Sequence, residues 1–472
     1  MSHRVLTVGA LNLDILAAYV SGDQGQPPWG GDLEKEVDDR DWWRYFYSYL
    51  NGRPIQLCAG GSAANTGAAL AALAPEFAVH VVGVVGDDAE ADFLVQRSQW
   101  YGAKLLATPV PHQRTGRALS YVRAPREERR LAVAPGANDL FRADLLADSL
   151  LLEADWLHVS SFTKPLCNAE IGELFRRARQ TRGDRIVLSI DPGTFLSKDG
   201  LTKEAVACIS ESDVVFTKTA ELAALTHQPD TQTEESARLE AAECLFALAK
   251  RRLCIVVERL PNGYTVYRSG TAPETITFER AAPLTVLDDT GAGDVFNAAY
   301  IFAHLKLLPV KATARLIASI VRVHLGHIGR SGFTQFAHCA PVVFASHSRK
   351  DKPYVDKFIR HFEGSEIAFW VDENEISLGS SLAVSIQEGI RKCDALAVFI
   401  TEDSLDSGWV QRELDWAKGR GVRVLPIRLA PADVPNDLRD LLYLDVVADG
   451  FLGAAEKMKR DFRRSAPLPG VP

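Results

Sequence analysis

A chain of 472 residues is too long for one ordinary domain and long enough for two or three separate cores. Its 47% apolar and 24% charged content suits a globular protein, and a net charge of −8 without an extended basic run argues against a nucleic-acid partner. No stretch approaches the roughly 18 apolar residues that a membrane span requires. Seven cysteines, scattered and without a CxxC pair, point to reduced thiols. The opening "MSHRVLTVGALNLDIL" enters a strand pattern without a leader-like basic and apolar prelude, so the expected location is cytoplasmic.

In chain order, "VLTVGAL", "VHVVGVVG", "WLHVSSF", "IVLSIDPG", "DVVFT" and "CIVVERL" are short apolar runs, as in strands covered on both faces. Between them, segments such as "AEIGELFRRARQ" carry apolar residues at helical spacing. The alternation predicts an α/β domain over residues 1–335, a mainly parallel sheet with helices on both faces. Residues 21–54 break the rhythm with acidic and then aromatic residues. They read as an insertion that packs Trp42, Trp43, Tyr45, Phe46 and Tyr49 on the main body, or as a lid or oligomer contact. A second, smaller doubly wound domain is expected over 339–450, from "APVVFASHS", "IAFWVDE", "ALAVFIT" and "RVLPIRL". Residues 451–472 read as a C-terminal tail.

Chemistry concentrates in "VLDDTGAGDVFNAAY". A glycine turn opening a helix directs backbone N–H groups to one spot at the positive helix end, where an anion can sit. Asp294 stands close enough to such a turn to take a proton from a hydroxyl. The pair His324/His327 shares a helix face but lacks further ligands, and reads as non-metal.

These motifs resemble the ribokinase-like (PfkB) family of sugar and nucleoside kinases. The carriers are "VGALNLDIL", "CAGGSAANTGAALAAL", "VVGVVGDDAEADFL", "TGRALSYV", "PGAND" and, most specifically, "DTGAGD". The resemblance implies that Asn12, Asp14, Gly60, Gly61 and Asn65 meet a sugar or nucleoside. It makes Asp294 the catalytic base and Gly291, Ala292 and Gly293 the anion hole. Departures fall on the nucleotide side. Lys218 stands where the family carries the Asn of Asn-x-x-Glu, leaving Glu221 as a weak metal-site candidate. Glu258, Arg259, Leu260 and Pro261 stand in place of a Thr-Leu-Gly run, and a carboxylate at 258 is expected to repel phosphate. Ser319 replaces a common Asn. ATP and magnesium are therefore doubtful cofactors, and ligand binding without efficient phosphorylation is the expectation.

The second domain resembles the TIR family through "VVFASHSRKDKPYVDKFIRHFE" and "IAFWVDENEISLGSSLAVSIQEGIRKCDALAVFITEDSLDSGWVQREL". That resemblance implies NAD as substrate, cleaved at the nicotinamide–ribose bond, with Glu413 catalytic and Ser346, His347, Trp370, Asp372 and Trp409 around the NAD. Glu413 follows Trp409 by four residues on the predicted helix, so both are expected on one side. Taken with the first domain, it implies a sensor–effector that self-associates through both domains, with a role in prokaryotic antiphage defence. Two alternatives stand beside it: a working kinase with a scaffolding TIR domain, and a non-enzymatic adaptor.

Overall fold

The computed structural model describes residues 3–17, 29–30, 34–50, 55–121, 130–227, 235–249, 255–278, 284–308, 310–338, 341–362, 367–371 and 382–465. They divide into two compact units. One comprises 1–277, 284–298 and 324–333; the other comprises 278–283, 299–323 and 334–472. The first unit is thus interrupted in sequence.

Strands of the first unit are β1 (Arg4–Val8), β2 (Asn12–Ala17), β3 (Glu34–Glu36), β4 (Ile55–Gly60), β5 (Ala78–Gly86), β6 (Lys104–Val110) and β7 (Gly116–Tyr121). They continue with β8 (Arg130–Ala134), β9 (Trp156–Ser160), β10 (Val187–Asp191), β11 (Val214–Lys218), β12 (Ile255–Leu260), β13 (Gly263–Arg268) and β14 (Glu274–Thr277). The six apolar runs all join one sheet of order β14-β13-β12-β11-β10-β9-β1-β5-β6. It is parallel from β6 to β12, and β12 to β14 form an antiparallel edge. Helices supply the second half of each crossover and bury Ile171, Leu174, Phe175, Ile209 and Leu225 on the sheet.

A second sheet, β3-β8-β7-β2-β4, has no counterpart among the expected elements. "VGALNLDIL" is not one strand: β1 stops at Val8, and the chain turns into β2 of the other sheet. An amide staple sets the turn, since Leu11 N–H donates to Asn138 Oδ1 at 2.9 Å and Asn138 Nδ2 donates to Leu11 O at 3.1 Å. The Asp39–Leu50 helix contributes Trp42 and Tyr45 to a core with Leu13, Ile15, Leu119 and Ala132 of the second sheet. Buried Arg117 of β7 lies over Trp42 at 4.6 Å and Trp43 at 5.1 Å and pairs with Asp39. Packing therefore explains the aromatic insertion; residues 18–28, 31–33 and 51–54 of this region lie outside the described ones.

The C-terminal unit holds a parallel sheet β16-β15-β17-β18-β19, formed by β15 (Val342–Ser346), β16 (Ala368–Trp370), β17 (Ala395–Ile400), β18 (Arg423–Arg428) and β19 (Leu444–Asp445). Its core includes Val343, Phe358, Phe369, Phe399 and Ile427. The expected tail is largely helix: Val446–Ser465 inserts Ala454, Ala455 and Met458 into that core. Its polar residues fall on the opposite face, the amphipathic spacing of a helix packed on a core. Among the described residues, no helix is long and apolar enough to cross a membrane.

Candidate functional site

In a parallel sheet the carboxyl ends of the strands open a crevice for ligands. Here Ser160, Asp191, Lys218 and Arg259 lie at the ends of β9, β10, β11 and β12, and residues of β2, β3, β7 and β8 from the second sheet face them. Between them lies a cavity of about 320 Å³, of small-ligand size. Asn12, Asp14, Gly61, Asn65, Gly291, Ala292, Gly293 and Asp294 all line it, so residues spread from 12 to 294 converge as expected.

Gly60 contributes by what it lacks. A Cβ there would run into the Asp14 carboxylate, and one on Gly61, at φ +92°, would run into the Ala10 carbonyl. The glycine pair lets β4 pass behind Asp14 and turn into the Ser62–Leu73 helix. Within that helix Asn65 donates from Nδ2 to Asp294 Oδ2 at 2.8 Å, while its Oδ1 accepts from Arg330 Nε at 2.9 Å. Arg330 is buried with Nη1 and Nη2 unbonded, and burial lowers its pKa. Sequence reasoning missed Arg330 because it lies far from any motif.

The glycine turn is held from both sides. His324 Nε2 donates to Thr290 O at 2.7 Å, and burial depresses the imidazole pKa. Ala292 N–H donates to Asp289 O at 3.1 Å, so its amide is already engaged. That corrects the three-residue anion hole: among the described hydrogen bonds, the Gly291 and Gly293 amides remain for an anion.

The nucleotide side differs most from expectation. Strand alternation turns Glu258 away from the cavity into the protein, fully buried, where Thr219 Oγ1 donates at 2.6 Å and Tyr267 O–H at 2.6 Å. Glu258 therefore does not confront a phosphate. Its neighbour Arg259 enters the cavity wall instead. Arg259 Nη1 donates to Asp191 Oδ2 at 2.6 Å and to Asn297 Oδ1 at 2.9 Å, and Nη2 approaches Glu221 Oε2 at 3.4 Å. Asn297 Nδ2 also donates to Asp191, at 2.8 Å. Burial opposes ionisation of Asp191, but the Arg259 charge and hydrogen bonds, with Asn297, hold its pKa well below the ordinary range. Glu221 is raised by burial, against the pull of Arg259. Its Oε2 also accepts the Lys218 N–H at 2.8 Å, capping the Thr219–Thr226 helix. Thus Glu221 Oε2 is turned to protein partners, while the residue still lines the cavity. The signal for Asp191 and Arg259 was available: both are charged residues at the carboxyl ends of parallel strands, β10 and β12, that flank β11. Ser319, buried in the Val310–Leu325 helix, is not among the cavity-lining residues.

In the C-terminal unit, Ser346 ends β15 and donates from Oγ to Glu413 Oε2 at 2.6 Å. Glu413 sits on the Gly408–Gly419 helix, N-capped by Ser407, whose buried face carries Val410, Glu413, Leu414 and Ala417. Glu413 is only 4% exposed, against the surface position a lone helical glutamate usually takes. Trp409 differs from it, 39% exposed with the Arg412 guanidinium 5.3 Å from its ring. His347 Nδ1 donates to Ala345 O at 2.9 Å, and its Nε2 is buried without a partner. Trp370 is held by packing. It is 6% exposed, stacked on Phe344 at 4.7 Å, and a Cβ on Gly389 would come within 3.0 Å of its ring, so Trp370 is a packing residue. Asp372 falls outside the described residues.

A family model for pfkB family carbohydrate kinases matches residues 42–323, and one for the TIR domain matches 343–459. An uncharacterized sugar kinase of Archaeoglobus fulgidus is 24% identical over 235 residues, covering 50% of this chain and 86% of its own. The TIR part is similar to a probable 2′ cyclic ADP-D-ribose synthase of Methanobrevibacter olleyae, 30% identical over 74 residues, covering 16% of this chain and 22% of that protein. An NAD(+) hydrolase of Escherichia coli is 31% identical over 80 residues, covering 17% of this chain and 26% of that protein. Among solved structures, adenosine kinase of Schistosoma mansoni superimposes with a TM-score of 0.61 at 18% identity, over 69% of this chain and 96% of that one. Adenosine kinase of Sinorhizobium meliloti does so with a TM-score of 0.57 at 20% identity, over 71% and 99%. On the fold, the ordered motifs and the extent of the match, the chain belongs to the pfkB family of carbohydrate kinases and carries a TIR domain after it.

Proposed function

We propose that the chain couples recognition of a sugar-, nucleoside- or nucleotide-type ligand in its first unit to NAD cleavage by its TIR domain. The observation that carries the reading is the buried Glu413 carboxylate, held at 2.6 Å by Ser346 at the carboxyl end of β15. When the nicotinamide–ribose C–N bond breaks, nicotinamide leaves with the bonding electron pair and ribose C1′ gains oxocarbenium character. A fixed carboxylate beside C1′ stabilises that charge. Water then adds at C1′ and releases a proton, giving hydrolysis; attack by a hydroxyl of the same molecule gives a cyclic product. The names of the two TIR relatives support NAD-derived chemistry. Self-association that brings TIR domains together is the proposed switch, and the proposed setting is cytoplasmic antiphage defence.

For the first unit, Asn12, Asp14 and Asn65 line the cavity and offer polar groups to ligand hydroxyls. A magnesium ion would need free oxygen ligands, but Asp191 and Glu221 are engaged by Arg259. The residues present do not fit an ATP-bound metal, and the reading is binding without efficient transfer. The test is incubation of purified protein with NAD, with and without sugars, nucleosides and nucleotides, followed by chromatography. Ligand-stimulated release of nicotinamide supports the reading. No turnover in concentrated protein leaves an assembling adaptor. Phage plating on cells expressing the chain or its Glu413→Gln variant tests the defence role.

A second reading rests on the Asn65–Asp294 hydrogen bond of 2.8 Å, which keeps a base oriented on the acceptor side. ATP-dependent phosphorylation of a sugar or nucleoside, abolished in Asp294→Asn, would establish a working kinase.

A further inference from the structure

The glycine turn ends in a 14-residue helix, Ala292–Leu305, and two other groups flank the Gly291 and Gly293 amides. The Arg259 side chain is 9% exposed, its Nε has no partner, and its guanidinium carbon lies 3.5 Å from where a Gly293 Cβ would stand. Thr290, 9% exposed, has a buried Oγ1 that is also unpartnered. A guanidinium nitrogen beside Gly293 is thus left unsatisfied next to amides with no partner among the described hydrogen bonds, a donor set that suits an oxyanion.

The charges narrow the anion. Asp14, Glu34, Asp191, Glu221, Asp289 and Asp294 line the cavity against only Lys218 and Arg259. Arg259 is shared with two of those acids, so a triphosphate without metal would meet more repulsion than attraction. With metal, Asp191 and Glu221 would have to give up the guanidinium they face in order to bind it. One phosphate is different. It can rest on the amides with Lys218 and Arg259 as counter-charge, while asparagines on the far wall take hydroxyls. We propose that this cavity is built for a phosphomonoester of a sugar or nucleoside, bound without a metal ion, with Arg259 as the resident cation beside the phosphate. The inference rests on the ligand-binding reading above and names the ligand class for it.

Calorimetry on the full chain tests it with ribose, ribose 5-phosphate, adenosine, adenosine 5′-monophosphate, inorganic phosphate and magnesium ATP, each with and without EDTA. At least one phosphomonoester is expected to bind about tenfold or more tighter than its unphosphorylated partner, unchanged by EDTA, as for a lost or gained charge-assisted contact. Arg259→Gln should remove most of that preference, and Arg259→Lys should restore part of it. Should Arg259→Gln fail to fold, Gly293→Ala serves instead. Its methyl would make ordinary contact at 3.5 Å from Arg259 while intruding on the amide mouth, and it should erase the preference as well. Equal binding of the phosphorylated and plain forms would overturn the phosphate inference and leave the ligand-binding reading standing. So would magnesium ATP binding tightest and failing in EDTA, or inorganic phosphate matching the esters, which would mean an adventitious ion only. No binding by any sugar or nucleoside compound would remove both.

Discussion

Glu413 illustrates how burial changes what a substitution means. Because its carboxylate accepts a 2.6 Å hydrogen bond from a fully buried serine, Glu413→Gln exchanges a charged for a neutral acceptor inside the protein. The amide oxygen can keep the Ser346 bond, so the expected stability change is about 1 kcal/mol. NAD cleavage should fall on the order of 100- to 1,000-fold, the typical loss of one preorganised electrostatic group. Thermal melts beside nicotinamide release separate the two effects. Glu402→Gln, an exposed glutamate opening the short Glu402–Leu405 helix, should cleave NAD like the parent. At the other site, Lys218→Asn alone should produce no magnesium-dependent phosphorylation of ribose or adenosine, since Arg259 still holds Asp191 and Glu221. Turnover in that variant would show that the metal position, not Arg259, limits the site.

The element scale is governed by close approach. β4 and the Ser62–Leu73 helix meet β2 through Gly60 and Gly61, and a methyl at 61 would add a positive-φ penalty to a clash with the Ala10 carbonyl. Gly61→Ala should therefore cost about 3 kcal/mol, combining backbone strain with overpacking. Urea unfolding would read this as a lower midpoint, and an unchanged midpoint would mean that the junction shifts freely. β9 carries a different constraint. His158 is fully buried, and desolvation lowers its pKa to about 4, despite the opposing pull of Asp191. Ser189 donates to its Nδ1 at 2.9 Å while accepting from Trp156 Nε1 at 2.7 Å, a chain that requires a neutral ring.

For the whole molecule, that buried histidine becomes a pH dependence. Its unfolded pKa is near 6.5, so the unfolded state binds the proton first, and stability falls from about pH 6.5 down to about pH 4. The full shift corresponds to about 3 kcal/mol. His80 and His324 are lowered in the same direction and add to the slope, whereas Asp191 acts only below the ordinary aspartate range. His158→Gln should flatten the profile between pH 6.5 and 4 even if it lowers absolute stability; an unchanged slope would assign the effect to the other histidines. Coupling between units makes a separate prediction. NAD cleavage per mole of full chain should rise with protein concentration in a dilution series, because assembly follows mass action. A flat series would place a complete site in one chain.

Six of the seven parallel strands of the first sheet and four of the five C-terminal strands were legible because strands covered on both faces leave unbroken apolar runs. The "DTGAGD" turn, Asp294 and Glu413 were legible because each sits in a short motif whose chemistry is local. The second sheet was not, since "IQLCAG" is exposed over its first half and "GRALSY" buries the polar Arg117 and Ser120, so neither reads as an unbroken apolar run. Nor was the direction of a charge. Whether Glu258 or Arg259 enters the cavity depends on the phase of β12 against β11, and one residue of register exchanges them. Sequence alone determined which residue types stand at the strand ends. Tertiary packing decided that Arg259 meets Asp191, Glu221 and Asn297, and that Ser346 meets Glu413, because partners 38 to 68 residues apart become neighbours only when the chain folds.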